Sequence, residues 1–264
     1  MLALRRIIED IKRKQLPAVL VFIGFCKAFD SIHHATMFKV LQSYGIPPHI
    51  LSAIKLCYQN LKAKVISSDG DTAYFKILAG VMQGDTLAPF LFVIVLDYAL
   101  GQAIQGREEE LGFTLHRRRS RRVPAVSICD LDFADDIALL SNQIEQARSL
   151  VHSVEQECKK VGLALNSSKT KAMYFNVDIE QLFTIDGNAI GQALTASGDQ
   201  DFKYLGSWCD KDRDIHTRKA LAWKSLHKMK RIWKSDLDDK LTTVQGYNGD
   251  HLNVRMCHLV SDQQ

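Results

Sequence analysis

The residues best suited to chemistry in this chain are two adjacent carboxylates, Asp135 and Asp136, within Phe133-Ala134-Asp135-Asp136. Apolar residues flank them on both sides: Ile128 and Leu131 before, Ile137 to Leu140 after. Like charges side by side repel, and placing them against a core costs stability unless something neutralises them. Mg2+ neutralises them well, because it is a hard cation that takes one or two protein carboxylates plus phosphate oxygens. The same four residues also fit an ordinary acidic turn, and the segment alone leaves both readings open. The densest positive charge is Arg117-Arg118-Arg119-Ser120-Arg121-Arg122. It fits a phosphate contact through forked guanidinium donors, or a solvated loop with a chance likeness to a nuclear-localisation run. His33-His34 reads as the polar start of a helix and not as a metal pair.

Bulk properties narrow the class. With 264 residues the chain holds one large domain or two small ones, and 46% hydrophobic against 24% charged residues is a globular balance. A net charge of +4 permits nucleic-acid binding without arguing for it. The cysteines (Cys26, Cys57, Cys129, Cys158, Cys209, Cys257) include no Cys-x-x-Cys pair, so they read as reduced, mostly buried thiols of a cytoplasmic or nuclear protein. The N-terminus is amphipathic and lacks the apolar core of a signal peptide. The longest apolar run, Leu87 to Leu96, is interrupted by Pro89 and followed by Asp97. A bilayer needs about 20 apolar residues, so this run is expected to be a buried helix and no membrane is implied.

The elements that must position the carboxylates can be placed by periodicity. Leu4, Ile7, Ile8 and Ile11 predict a helix over 2–14, broken by Pro17. Ala18 to Phe25 is a near-continuous apolar run of strand length, expected to be buried on both faces. Helices are expected over 31–44, from Pro47-Pro48 to about Leu61, over 86–105, over 144–161 with a stop at Gly162, and over 215–234. Ala63–Ile66 and Ala73–Leu78 flank an Asp-Gly turn and read as a hairpin; Ala125–Asp132 and Ile137–Leu140 read as strands around the acidic turn. Lys171–Phe175 and Phe202–Trp208 complete the strands, and Asp30 is placed to cap the helix that follows it. This order suits an α+β fold in which an antiparallel sheet is backed by helices on one face. Trp223 and Trp233 are expected in a core, and the stretch from about Thr242 to Gln264 is expected to be disordered.

Four more segments accompany the acidic turn: Phe22-Ile23-Gly24-Phe25-Cys26-Lys27-Ala28-Phe29-Asp30-Ser31; Gly80-Val81-Met82-Gln83-Gly84-Asp85-Thr86-Leu87-Ala88-Pro89-Phe90-Leu91-Phe92; Gly162-Leu163-Ala164-Leu165-Asn166-Ser167-Ser168-Lys169-Thr170; and Phe202-Lys203-Tyr204-Leu205-Gly206. All five, in this order, resemble the palm motifs of reverse transcriptases from non-LTR, LINE-like retrotransposons. The resemblance implies a polymerase right-hand palm and RNA-directed DNA polymerase chemistry, a nucleotidyl transfer held by two metal ions. It implies Asp135 and Asp136 as catalytic, metal-binding aspartates, with Mg2+ or Mn2+ as the ion. Phe29 is implied beneath the sugar of the incoming nucleotide, Gln83 and Gly84 in the loop packed on nucleotide and template, and Lys169 near the triphosphate. Tyr204, Leu205 and Gly206 are implied in the turn that grips the primer strand. An RNA template, a DNA primer and deoxynucleoside triphosphates are the implied partners, and Arg117, Arg118, Arg119, Arg121 and Arg122 are placed as nucleic-acid contacts.

The implied organisation is an N-terminal helix over 1–17, the palm over 18–210, the start of a thumb over 211–241 carrying the basic helix, and a divergent tail over 242–264. The family pattern has an upstream fingers region that the residues before Ala18 are too few to hold, and the thumb is expected to be cut short after about Leu241. One departure touches the chemistry. The family's third carboxylate, which bridges both metals, stands where this chain has Gly24. Losing that ligand is expected to cost several kcal/mol of transition-state stabilisation, on the order of thousands-fold in rate. The expectation is therefore a reverse transcriptase domain that is inactive as written. Alternatives are a non-catalytic nucleic-acid-binding remnant of a retrotransposon and an unselected transposon-derived reading frame.

Overall fold

The computed structural model describes residues 1–68, 70–82, 84–116, 118, 120, 122, 124–177, 183–193 and 201–229. The expectations for Gln83, Arg117, Arg119, Arg121, Trp233 and the tail over 242–264 lie outside the described residues. The chain divides into two compact units, residues 1–210 and a unit beginning at Lys211.

The first unit opens with α1 (Leu2–Lys14), β1 (Ala18–Ile23), α2 (Ala28–Ser31), α3 (His34–Ser43) and α4 (Pro48–Tyr58). A short hairpin, β2 (Lys62–Ala63) and β3 (Phe75–Lys76), leads to α5 (Ala88–Ile104), α6 (Glu108–Leu111) and the pair β4 (Phe113–His116) and β5 (Val126–Ile128). Then come β6 (Asp130–Phe133), β7 (Asp136–Ser141), α7 (Ile144–Lys160) and β8 (Lys171–Phe175). Five two-residue strands finish it: β9 (Thr184–Ile185), β10 (Asn188–Ala189), β11 (Gly191–Gln192), β12 (Lys203–Tyr204) and β13 (Ser207–Trp208). The second unit begins with α8 (Lys211–Lys228), in which Arg218 Nε lies 2.8 Å from Asp214 Oδ2.

The main sheet has the order β11-β8-β1-β7-β6, antiparallel except for β11 on β8. All six residues of β1 are buried, because both faces of the sheet are covered. Val19, Val21 and Ile23 join α3, α4, α5 and α7 in one core, whose largest dry side chains are Phe92 and Phe183. Leu20 and Phe22 face a second core made by α1 (Leu4, Ile7, Ile8, Ile11), Phe113 and Tyr204. The helical layer thus backs one face as expected, while α1 covers the other. The continuous apolar run of β1 already carried that information, since a strand half open to water would alternate.

Several local expectations change. The helix foreseen over 31–44 is broken at Ile32 and His33, where His33 donates its N–H to the Val161 carbonyl at 3.2 Å. Asp30 sits inside α2, whose N-terminal cap is Lys27, and the cap position of α3 is His33, so Asp30 is not the cap of the helix that follows. The strand foreseen over 202–208 is the hairpin β12–β13, and the strands around the Asp-Gly turn shorten to β2 and β3. Trp223 is exposed on α8 instead of lying in a core. Among the described residues no helix is long and apolar enough to cross a membrane.

Gly162 shows how the helical layer is locked to the first motif. It ends α7 with φ +94°, and Leu163 N–H reaches back to the Cys158 carbonyl at 2.9 Å, a left-handed helix stop. A Cβ there would sit 2.5 Å from the Ser31 carbonyl oxygen and 3.0 Å from His33 N. Backbone strain and the clash act together, so Gly162→Ala is expected to cost more than about 2 kcal/mol. A urea midpoint indistinguishable from the unchanged protein would refute this packing.

Candidate active site

The acidic pair stands on the hairpin between β6 and β7, which are joined by only two residues, Ala134 and Asp135. Phe133 pairs with Asp136, and Ala134 takes a left-handed φ of +54°, uncommon for a residue with a side chain. Both aspartates are exposed. Desolvation, and then the charge of Asp135, raise the Asp136 carboxyl above its ordinary pKa. The fold thus concentrates negative charge at a tight, two-residue turn.

Tyr204 holds that turn from behind. Its hydroxyl lies 2.9 Å from the carbonyl oxygens of both Leu131 and Asp136, one on each arm of the hairpin, so a single proton is shared between them. The tyrosine is buried, and burial followed by the charges of Asp136 and Asp132 pushes its pKa up, keeping it a donor. It begins the β12–β13 turn, where Leu205 (φ +50°) and Gly206 (φ +73°) are both left-handed, the turn geometry whose twist suits a two-residue hairpin. Sequence reading placed this turn in the site but not the bond that ties it there, because a contact 68 residues away leaves no local signal.

Gly24 follows the last residue of β1. The β1–β7 register pairs Ile23 with Ile137, so one further step sets Gly24 opposite Asp136. The β1–β8 register pairs Phe22 with Lys171, and two further steps set Gly24 opposite Lys169. The neighbouring segment closes tightly on this glycine. Asn166 N–H donates to the Gly24 carbonyl at 2.7 Å, Gly24 N–H donates to Thr170 Oγ1 at 3.1 Å, and Cys26 N–H donates to the Ala164 carbonyl at 2.9 Å. A Cβ built on Gly24 would lie 2.4 Å from Lys169 Cβ and 3.3 Å from the Lys169 carbonyl carbon. The space for a side chain beside Asp136 is therefore filled by the backbone and stem of Lys169, whose Nζ lies 3.4 Å from the Phe25 carbonyl oxygen.

Neither Asp130 nor Asp132 takes that place. Asp130 and Asp132 pair with Leu139 and Ile137, so they share the α5 face of the sheet, opposite to the face of Asp136. There the Asp132 carboxyl is held above the ordinary range by desolvation, then by the charge and hydrogen bond of Asp130, then by Asp97 of α5. Among the described residues no three His, Cys, Asp or Glu side chains gather in a way that could hold a metal ion. Asp135 and Asp136 are the exposed carboxylates of this turn, and a three-carboxylate clamp does not fit.

The glycine loop is brought to the first motif. Val81 N–H donates to the Phe29 carbonyl at 2.7 Å, and Gly80 N–H to the Ile32 carbonyl at 2.8 Å. Gly80 (φ +91°) lies so close to Asp30 that a Cβ would meet its Cα at 2.9 Å. His34 Nε2 lies 2.7 Å from the Gly80 carbonyl oxygen, which gives this histidine a loop-anchoring place. Phe29 stacks on Phe92 of α5 with ring centroids 4.5 Å apart, and Gly84 (φ +89°) is open to solvent. Phe29, the loop, Lys169 and the β6–β7 hairpin thus hang on one sheet end. The arginine run instead lies in the connection between β4 and β5, where Arg118 and Arg122 are exposed and Arg122 N–H bonds Ser120 Oγ at 3.2 Å.

Two predictions follow from these contacts. The Gly24 contact is between Cβ positions, so Gly24→Ala is expected to destabilise the protein, Lys169→Gly to recover part of the loss, and Lys169→Ala none of it. A double-mutant cycle by urea unfolding should return a coupling of roughly 1–3 kcal/mol for the glycine pair; equal recovery by Lys169→Ala would refute the contact. Asp132 is in part exposed, so solvent damps the effect, but it binds its proton more tightly folded than unfolded and stability falls as pH rises above the ordinary value of 3.8. Asp132→Asn is expected to raise Tm at pH 8 and to leave it nearly unchanged at pH 4. A uniform shift at both values would remove Asp132 as the cause.

The chain matches the family described as reverse transcriptase (RNA-dependent DNA polymerase) over residues 2–209. It is 27% identical over 213 residues to the Retrovirus-related Pol polyprotein from type-1 retrotransposable element R2 of Nasonia vitripennis, covering 77% of this chain and 19% of that protein. With the protein of the same description from Popillia japonica it shares 27% identity over 194 residues, 71% of this chain and 30% of that one. The chain therefore spans a minor part of the length of these relatives. Among solved structures, telomerase from Candida tropicalis superposes with a TM-score of 0.48 at 14% identity, covering 65% of this chain and 29% of that chain. The match over residues 2–209 takes in all five motifs, from the strand before Gly24 to the turn at Gly206, and on that ground the chain belongs to the reverse transcriptase family, with relatives among the R2 non-LTR retrotransposons.

Proposed function

We propose that this chain is a reverse-transcriptase palm that engages an RNA template and a primer strand without completing nucleotidyl transfer. The observation that carries this reading is the closed space at Gly24, where Lys169 Cβ would lie 2.4 Å from any added Cβ. Reverse transcriptases work with divalent metal ions. Here Asp135 and Asp136 are left to hold one, Mg2+ or Mn2+, with waters making up the remaining coordination. In this reading Phe29, Gln83 and Gly84 form the nucleotide and template wall, and Lys169 supplies positive charge near the triphosphate. Tyr204, Leu205 and Gly206 meet the primer. The exposed Arg118 and Arg122, with Arg117, Arg119 and Arg121, add phosphate contacts from a neighbouring loop.

Primer extension on an RNA template, with Mg2+ and then Mn2+, tests the proposal beside anisotropy titration of a primer–template hybrid. The expected result is salt-dependent binding with no extension, and no extension from Gly24→Asp alone because Lys169 blocks the added side chain. Extension by the unchanged protein would overturn the inactive reading, and extension by Gly24→Asp alone would show that the segment around Lys169 yields. Absence of hybrid binding at low salt would overturn the palm as a nucleic-acid-engaging unit.

A further inference from the structure

The hairpin β2–β3 lies outside everything so far assigned to the site, and its two faces differ in character. The register pairs Lys62 with Lys76 and Ala63 with Phe75. Lys62 and Lys76 therefore share one face, and just beyond the two strands Lys64 and Tyr74 meet in a cation–π contact. Every one of these four is exposed. Two lysines directly opposite one another destabilise a strand pair, and a bare two-stranded ribbon is marginal in water. Among the described residues neither Lys62 nor Lys76 has an ion-pair partner, so nothing there offsets that repulsion.

Lys64 behaves differently. It is bound to Asp71 at 2.5 Å and lies over the Tyr74 ring at 5.9 Å from its centroid. That contact covers one side of a ring that remains 68% exposed, which leaves it free to stack. Along the same hairpin arms Val65, Ile66 and Leu78 are 54%, 76% and 77% exposed. The base of the hairpin runs directly into the glycine loop, with Ala79 bridged to His33 and Ile77 N–H bonded to the Leu61 carbonyl at 2.9 Å. The basic, aromatic face therefore begins a few residues from the candidate active site.

We infer that this face is a binding surface for single-stranded RNA, with Lys62 and Lys76 on consecutive phosphates and Tyr74 stacked on a base. Paired unneutralised cations call for a polyanion, and an open ring pre-positioned by a lysine suits a base whose other side is free. The inference rests on the reading of the chain as a template-engaging palm, and it adds a contact that the palm motifs do not contain.

The test is anisotropy titration of a labelled single-stranded RNA against the full chain over a salt series. The variants are Lys62→Gln/Lys76→Gln, Tyr74→Ala, and a charge-matched control, Arg6→Gln/Lys160→Gln, with circular dichroism to confirm folding. Each phosphate contact to a single strand contributes about 0.7 to the slope of log K against log salt, so the lysine pair is expected to lower the slope by roughly 1.4. Tyr74→Ala is expected to weaken binding about tenfold with the slope unchanged, since stacking carries no counterion release. Binding and slope unaltered in both hairpin variants, with the unchanged protein binding well, would overturn the hairpin surface and leave the palm reading standing. An equal loss in the control pair would also overturn it, because the effect would then be general charge. No RNA binding by the unchanged protein would overturn both.

Discussion

The structure depends first on the double register of β1. This strand is dry on both faces and paired on both edges, with β7 on one side and β8 on the other. A one-residue slip would turn Leu20 and Phe22 from the core under α1 into the core under α5, and exchange Val19 and Val21 in return. Because neither face can accept the other's side chains without repacking, the register is fixed. Everything that leaves the end of β1 inherits that fix: Gly24 faces Asp136 on one side and Lys169 on the other, and Phe29 arrives beneath the glycine loop.

Charge is handled by separation and by backbone hydrogen bonding. Asp135 and Asp136 crowd a two-residue turn, while Asp130 and Asp132 lie on the opposite face of the same strand pair. No carboxylate from that second group can reach across a packed sheet to serve the first. The turn keeps its shape because a buried tyrosine bonds both arms through their carbonyl oxygens, an arrangement that does not consume the acidic side chains. The strands that carry the carboxylates are thus held without using the acidic side chains.

The contact between Gly24 and Lys169 bears directly on the proposal that a metal-bridging carboxylate is lost at this position. Where a side chain would stand, a loop has closed, and three hydrogen bonds between Gly24 or Cys26 and the segment 164–170 hold it there. A lost ligand and a filled space are different conditions. The first is undone by one substitution; the second needs the neighbouring backbone to move as well, against a packed interior that resists such shifts. The basic face of the β2–β3 hairpin is independent of that loss, since it asks only for phosphates and bases.

Much of this was legible in the residue order. The uninterrupted apolar run of β1, the helical spacing in α1, the longer apolar run of α5, the stop at Gly162 and the acidic turn are local patterns, and local patterns survive in one dimension because they depend on neighbours in the chain. The five ordered motifs carried the family. Other features needed the tertiary structure: the break at Ile32–His33, which answers to the end of α7; the hydroxyl of Tyr204 on two distant carbonyls; the face on which Asp132 lies; and the collision awaiting a Cβ at position 24. Each joins residues far apart in the chain through distances of a few ångströms, and only the packed sheet sets those distances.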